Sequence, residues 1–290
     1  MMVQSMQFQG IPGWPGATDA ASFHRIACPG ELDGAPMLRI SLLDGIALYV
    51  GTREVALNQR KARALIAYLA LARGMRETRS RLVGLLWSET EDAKARASLR
   101  QLLHLLREIF DREGIVGLSA DKDLVSLDRS AVITDVDWAL ASIDRADPVA
   151  PLLNEFRITD TFLRGYEDLD PAFCTWLRTK RENIRQQLIR RLETQLSNPS
   201  HQAKATERIA RALFQIDPTH EIACQYLMRA CVASGNAGGA LATYKQLWER
   251  LEQEYDIEPS KATQQLVVTI RNAAVDPNGL DGMLRAPTLP

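Results

Sequence analysis

The chain has 290 residues, 46% hydrophobic and 24% charged, with a formal net charge of -1, which is material for two folded domains of roughly 100 to 200 residues each. It has no run of 18 apolar residues, which excludes a transmembrane helix. Its cysteines, Cys28, Cys174, Cys224 and Cys231, form neither a CxxC pair nor a zinc-spaced cluster, and they read as reduced core thiols of a cytoplasmic protein. Near-neutrality hides an uneven distribution. Residues 58–112 carry 12 Lys/Arg against 6 Asp/Glu, a net of +6, whereas residues 138–290 carry 18 against 19, a net of -1. Only local charge holds a phosphate backbone, because fields are screened beyond about 10 Å.

Residues 1–37, with Gly and Pro throughout 10–16, are expected to be a disordered leader. Short apolar runs at 38–42, 46–50 and 54–57 are separated by Asp44-Gly45 and Gly51-Thr52 and predict a small antiparallel sheet. Asn58 offers an N-cap to a basic helix over 60–72 that Gly74 closes. Thr78 offers one to a second helix, in which Gly84 signals either close packing or a short, tolerant helix.

A third helix is expected over 92–110. At 100° per residue, Ala95, Leu99, Leu102, Leu103, Leu106, Ile109 and Phe110 form one stripe, with Lys94, Ala97, Arg100, Gln101, His104 and Glu108 opposite and Arg96 and Arg107 on a flank. Arg pairs bidentately with guanine and Gln with adenine in a major groove, so Arg100 and Gln101, helped by Ala97 and His104, are candidate base readers. A solvated amphipathic face explains the same pattern. The next segment favours the reader: runs at 115–118 and 124–127 flank Ser119-Ala120-Asp121-Lys122-Asp123, a hairpin with Lys122 at its tip. A basic helix followed by such a wing grips a duplex on two sides. Arg60, Lys61, Arg63, Arg79 and Arg81 are candidate phosphate contacts, Lys122 is placed to reach the flanking groove from the wing, and Lys94, Arg96 and Arg107 are further candidate DNA contacts.

From Leu163 the sequence reads as helical. Asp170-Pro171 caps a run to about Leu196 with Phe173, Trp176, Leu177, Ile184, Leu188 and Leu192 on its apolar face, and helices over 203–216, 221–234 and 240–255 follow. Their turns predict antiparallel hairpins of tetratricopeptide type, whose stacking leaves a groove for protein or peptide.

Residues 38–140 resemble the response-regulator-type winged helix of Streptomyces antibiotic regulatory proteins in Arg60-Lys61-Ala62-Arg63-Ala64-Leu65, Arg81-Leu82, Leu85-Leu86-Trp87, Ala97-Ser98-Leu99-Arg100, Leu106-Arg107 and Asp135-Val136-Asp137-Trp138. The later Trp176-Leu177, Arg181, Ile216-Asp217-Pro218, Glu221, Leu227-Met228-Arg229-Ala230, Gly235, Ala240-Leu241, Tyr244 and Glu258-Pro259-Ser260 resemble the bacterial transcriptional activator domain that follows it in that family. The resemblance implies an α+β winged helix-turn-helix over 38–140, a connector over 141–162, an all-α tetratricopeptide-like domain over 163–274 and a flexible tail over 275–290. It also implies that the loop Ser88-Glu89-Thr90-Glu91-Asp92 faces RNA polymerase and that the helical domain mediates self-association. Carboxylates at a helix start are equally explained by the helix dipole. Leu105 departs from the family, which commonly has Arg there, and falls near the exposed face.

Catalysis is not expected. His24, His104, His201 and His220 are scattered, no Gly-rich phosphate loop occurs, and no cofactor or metal site is predicted. The aromatic residues Trp176, Tyr226, Tyr244 and Trp248, like Cys224 and Cys231, are read as core. The expectation is a cytoplasmic transcriptional activator that binds double-stranded promoter DNA and forms a homodimer, with no membrane partner. The alternative is a protein-interaction scaffold, or the regulatory front end of a longer multidomain protein, without DNA binding.

Overall fold

A computed structural model describes residues 38–275. The expected leader at 1–37 lies outside them, as does the expected tail beyond Val275.

The N-terminal half is an α+β winged helix. Strands β1 (Leu38–Ser41), β2 (Ala47–Val50) and β3 (Arg53–Glu54) pair antiparallel as their turns predict. The sheet is not purely antiparallel, however: β7 (Val132–Thr134) lies parallel to β1, giving the order β3-β2-β1-β7. Helix α1 (Arg60–Leu71) is capped by the backbone of Gln59, whose carbonyl accepts from Ala62 and Arg63, and not by Asn58, which lies one residue too early. Thr78 does cap α2 (Arg79–Leu86), accepting from the Arg81 amide at 3.3 Å. Gly84 is exposed, with nothing near the place a Cβ would take, so α2 is the short, tolerant helix and no close approach explains the glycine.

Helix α3 (Asp92–Glu113) runs three residues past its expected end and stops at Gly114, whose φ of 67° is left-handed. Its buried residues are the whole of the predicted stripe, Ala95 to Phe110. The wing is β5 (Leu118–Ala120) and β6 (Leu124–Leu127). Its first strand starts at Leu118, not at Ile115, because the Ile115 amide still closes the helix on Phe110 and Gly117, at φ 109°, turns the chain beside Asp128 and Ala131. A strand that the sequence did not suggest, β4 (Arg76–Thr78), completes a sheet of order β4-β6-β5 and ties the start of α2 to the wing.

Helices α4 (Asp135–Asp144) and α5 (Ala150–Asn154) pack on α6 (Pro171–Leu196) and α7 (Ala203–Ile216), so the chain between the halves is folded against the second. That half continues with α8 (Glu221–Ala233), α9 (Ala237–Tyr255) and α10 (Lys261–Val275), in which α8 packs on α7, α9 on α8, and α10 on both α8 and α9. Asp170 caps α6 by accepting from the Ala172 amide, with Pro171 as first helical residue, as expected. His220 caps α8 through its ring Nδ1, a role its sequence position does not announce.

The halves share one continuous core. Trp176 of α6 lies between Phe173, at 5.0 Å, and Tyr68 of α1, at 4.9 Å between ring centroids. Such tilted pairs contribute about 0.5–1.5 kcal/mol each beyond their burial. The Lys180 ammonium donates to the Leu71 carbonyl at the end of α1 (3.0 Å), and the Leu163 amide donates to Leu42 (2.8 Å). At the first sheet the buried Asp135 carboxylate accepts from the Ser41 hydroxyl and from the Leu42 and Leu43 amides, all on one oxygen. Burial outweighs these donors and raises its pKa to about 6.

Candidate nucleic-acid interface

Burial of the leucine stripe fixes how α3 is rolled, and so which side chains point away from the protein. Lys94, Arg96, Arg100, Gln101, His104 and Arg107 are exposed and Ala97 is half-buried. The N-terminal basic residues are tempered by acids one turn away: Lys94 pairs with Glu91 at 3.2 Å and Arg96 with Asp92 at 2.8 Å, and His104 faces Glu108 at 3.4 Å. Exposed pairs of this kind hold little energy, about 0–1 kcal/mol, and exchange readily for a phosphate. Arg100 and Gln101 have no hydrogen bond or ion pair among the described residues. Leu105, expected near the exposed face, is half-buried and packs on the core, because the stripe widens beyond its seven central residues toward the wing.

The wing stands beside this face. Lys122 is exposed at its tip and has no partner among the described residues. Arg79, the first residue of α2, donates through Nε to the Asp121 carbonyl at 2.7 Å and through its own amide to the Asp123 carbonyl at 2.8 Å. Arg107 of α3 donates to the Ala120 carbonyl. The Asp121 carboxylate turns inward and accepts from the Asp123 and Leu124 amides at 2.8 and 2.7 Å. Those two bonds hold its pKa below the usual carboxylate range, so the carboxylate that closes the turn stays negatively charged next to Lys122. Arg81 is exposed on α2, where it reaches the Tyr68 hydroxyl that donates to Glu77.

The remaining predicted phosphate contacts lie elsewhere, and their placement is a correction. Arg60 pairs with Asp168, donates to the Gly165 carbonyl and lies over the Tyr166 ring. Lys61 sits 4.8 Å from the centroid of Trp87, and its pKa is lowered by burial. Arg63 donates to the carbonyls of Leu57 and Ile46. Lys61 and Arg63 are half-buried at the seam between the halves, near Asp170 and Tyr166 respectively, and Arg60 is exposed at its edge. Their helical spacing gave them a common face, but not what would cover it.

The loop before α3 is anchored in the same seam. Ser88 donates through its amide and hydroxyl to Asp170 at 3.0 and 2.7 Å, so one carboxylate caps α6 and holds the loop. Glu89 and Thr90 remain exposed, while Glu91 and Asp92 are taken up by the ion pairs at the start of α3.

Among the described residues there is no group of three or more His, Cys, Asp or Glu placed to hold a metal, and no helix is long and apolar enough to cross a membrane. Cys174, Cys224 and Cys231 are free thiols, and burial pushes those of Cys224 and Cys231 up, away from reactivity. Cys224 is buried and Cys231 half-buried against the core, as expected of packing residues.

Residues 160–271 match the family described as the bacterial transcriptional activator domain. The chain is 24% identical over 259 residues to the regulatory protein AfsR of Streptomyces coelicolor, covering 84% of this chain and 25% of that protein. It is 25% identical over 248 residues to AfsR of Streptomyces griseus, covering 82% of this chain and again 25% of the relative. The chain thus spans about a quarter of the length of these curated relatives. Among solved structures, Mycobacterium tuberculosis EmbR in complex with a low-affinity phosphopeptide shares the fold with a TM-score of 0.55 at 19% identity, over 82% of this chain and 65% of that one.

Proposed function

We propose that this chain, a regulator of the Streptomyces antibiotic regulatory protein type with a winged helix ahead of its bacterial transcriptional activator domain, activates transcription by binding promoter DNA through α3 and the wing. The observation that carries the reading is the outward face of α3, where Arg100 and Gln101 have no partner among the described residues, together with Lys122 exposed at the tip of the wing. In this reading α3 enters the major groove, with Arg100, Gln101, Ala97 and His104 at base edges. Lys94, Arg96 and Arg81 meet the phosphates, and Lys122 reaches the flanking groove. Phosphate contacts give affinity and salt dependence, and base contacts give sequence preference. Lys61 and Arg63, half-buried at the seam, take no part, and Arg60 pairs with Asp168 at its exposed edge.

The family resemblance extends the reading to a cytoplasmic, non-catalytic protein whose helical domain self-associates and whose exposed Glu89 and Thr90 touch RNA polymerase. Titrating salt against a random-sequence duplex tests its base. Affinity is expected to fall linearly on a log–log plot by about 0.9 per phosphate neutralised, and Lys122→Ala is expected to remove about one such unit. Absence of binding even at low salt would make the winged helix a scaffold and sink the proposal.

A further inference from the structure

We infer that Arg107 and Arg79, which the sequence offers as DNA contacts, are positioning residues that fix the wing so that Lys122 meets DNA at a set offset from Arg100; this rests on the DNA-binding reading above. The wing's sheet is short, with three residues each in β4 and β5, and its ladders stop before residues 121–123. Its tip is instead held from outside. The carbonyls of Ala120, Asp121 and Asp123 each accept a donor, from the Arg107 side chain, the Arg79 side chain and the Arg79 amide respectively. The Asp121 carboxylate satisfies the Asp123 and Leu124 amides from within. Every tip residue but Lys122 is therefore tied down. One tie comes from α3 and two from the first residue of α2, so the place of the tip relative to α3 is set by these contacts beyond the end of its ladders.

The test is a double-mutant cycle on duplex binding, measured across a salt series on the whole chain with Arg107→Ala, Lys122→Ala and both together. If Arg107 acts through the wing, its replacement weakens binding several-fold in the wild-type background and has little further effect once Lys122 is gone. Hydroxyl-radical footprinting is expected to lose protection at the wing flank while protection under α3 persists. Hydrogen exchange at the Asp123 and Leu124 amides of the free protein is expected to quicken in Arg107→Ala at unchanged melting temperature, and Arg79→Ala is expected to behave alike. Independent effects, with Arg107→Ala lowering the salt slope by about 0.9 whether or not Lys122 is present, would make Arg107 a direct phosphate contact and overturn the positioning role alone. A wild-type chain that binds no duplex at any salt overturns both this role and the reading beneath it.

Discussion

The two faces of the winged helix are built from the same kinds of residue and use them in opposite ways. On the face toward the helical domain every cation is committed: Arg60 to Asp168 and Gly165, Lys61 to the Trp87 ring, Arg63 to two carbonyls, and Lys180, from the far side, to the end of α1. On the outward face of α3, Arg100 has no partner among the described residues, Lys94 and Arg96 are held only by exposed neighbours one turn away, and Arg107 on the flank donates to the wing. A charge enclosed by a second domain must be satisfied or its desolvation goes uncompensated. One facing water can wait for a ligand. The difference between a committed arginine such as Arg63 and an available one such as Arg100 lies here in what covers it.

That contrast can be broken first at the seam. Phe173, fully buried beneath Trp176, replaced by Ala is expected to cost about 3–5 kcal/mol of stability, read as a lowered denaturant midpoint. A loss confined to DNA affinity would mean that the seam does not hold the halves. Next is the buried Asp135. Its folded pKa of about 6 lies above the ordinary carboxylate value near 3.8, so the folded state holds the proton more tightly. The stability this confers is present below about pH 4 and is lost as pH rises through 6. The shift of about two units corresponds to about 3 kcal/mol. Because other carboxylates here have lowered values and work the other way, the measurement is a difference: unfolding of the wild type against Asp135→Asn should tilt in favour of Asn with rising pH. Parallel profiles would show that Asp135 titrates normally.

On the outward face, Arg100→Ala is expected to cost about 1–3 kcal/mol of binding at one base position with no change in melting temperature. A uniform loss over all sequences would assign Arg100 to phosphate. Smallest is Gly84→Ala in α2, where the side chain meets open space. It should raise stability by up to about 1 kcal/mol, and a loss in thermal unfolding would reveal a close contact at that surface.

Where the sequence was legible, the reason was local periodicity. The buried stripe of α3, the cap at Thr78, the cap and proline opening α6, and the bounds of α7 all follow from which residues recur at helical spacing and which side chains can satisfy the first amides of a helix. What escaped was set by distant partners. Strands β4 and β7 have three residues each, too few to show an alternation, and exist because β6 and β1 offer them ladders. Asp135 gives no sign in the sequence that it reaches back to Leu42 and Leu43.

By itself, then, the chain determined a winged helix ahead of stacked helical pairs and the roll of α3 that turns Arg100 and Gln101 outward, since an amphipathic helix has only one way to bury its leucines. Only the tertiary structure decided which basic residues remain available. Lys61 and Arg63 are half-buried at the seam, Arg60 pairs with Asp168 at its exposed edge, and Arg107 and Arg79 are bent onto the wing. A side chain's type fixes what it can bind, but its neighbours in space fix whether it is free to do so.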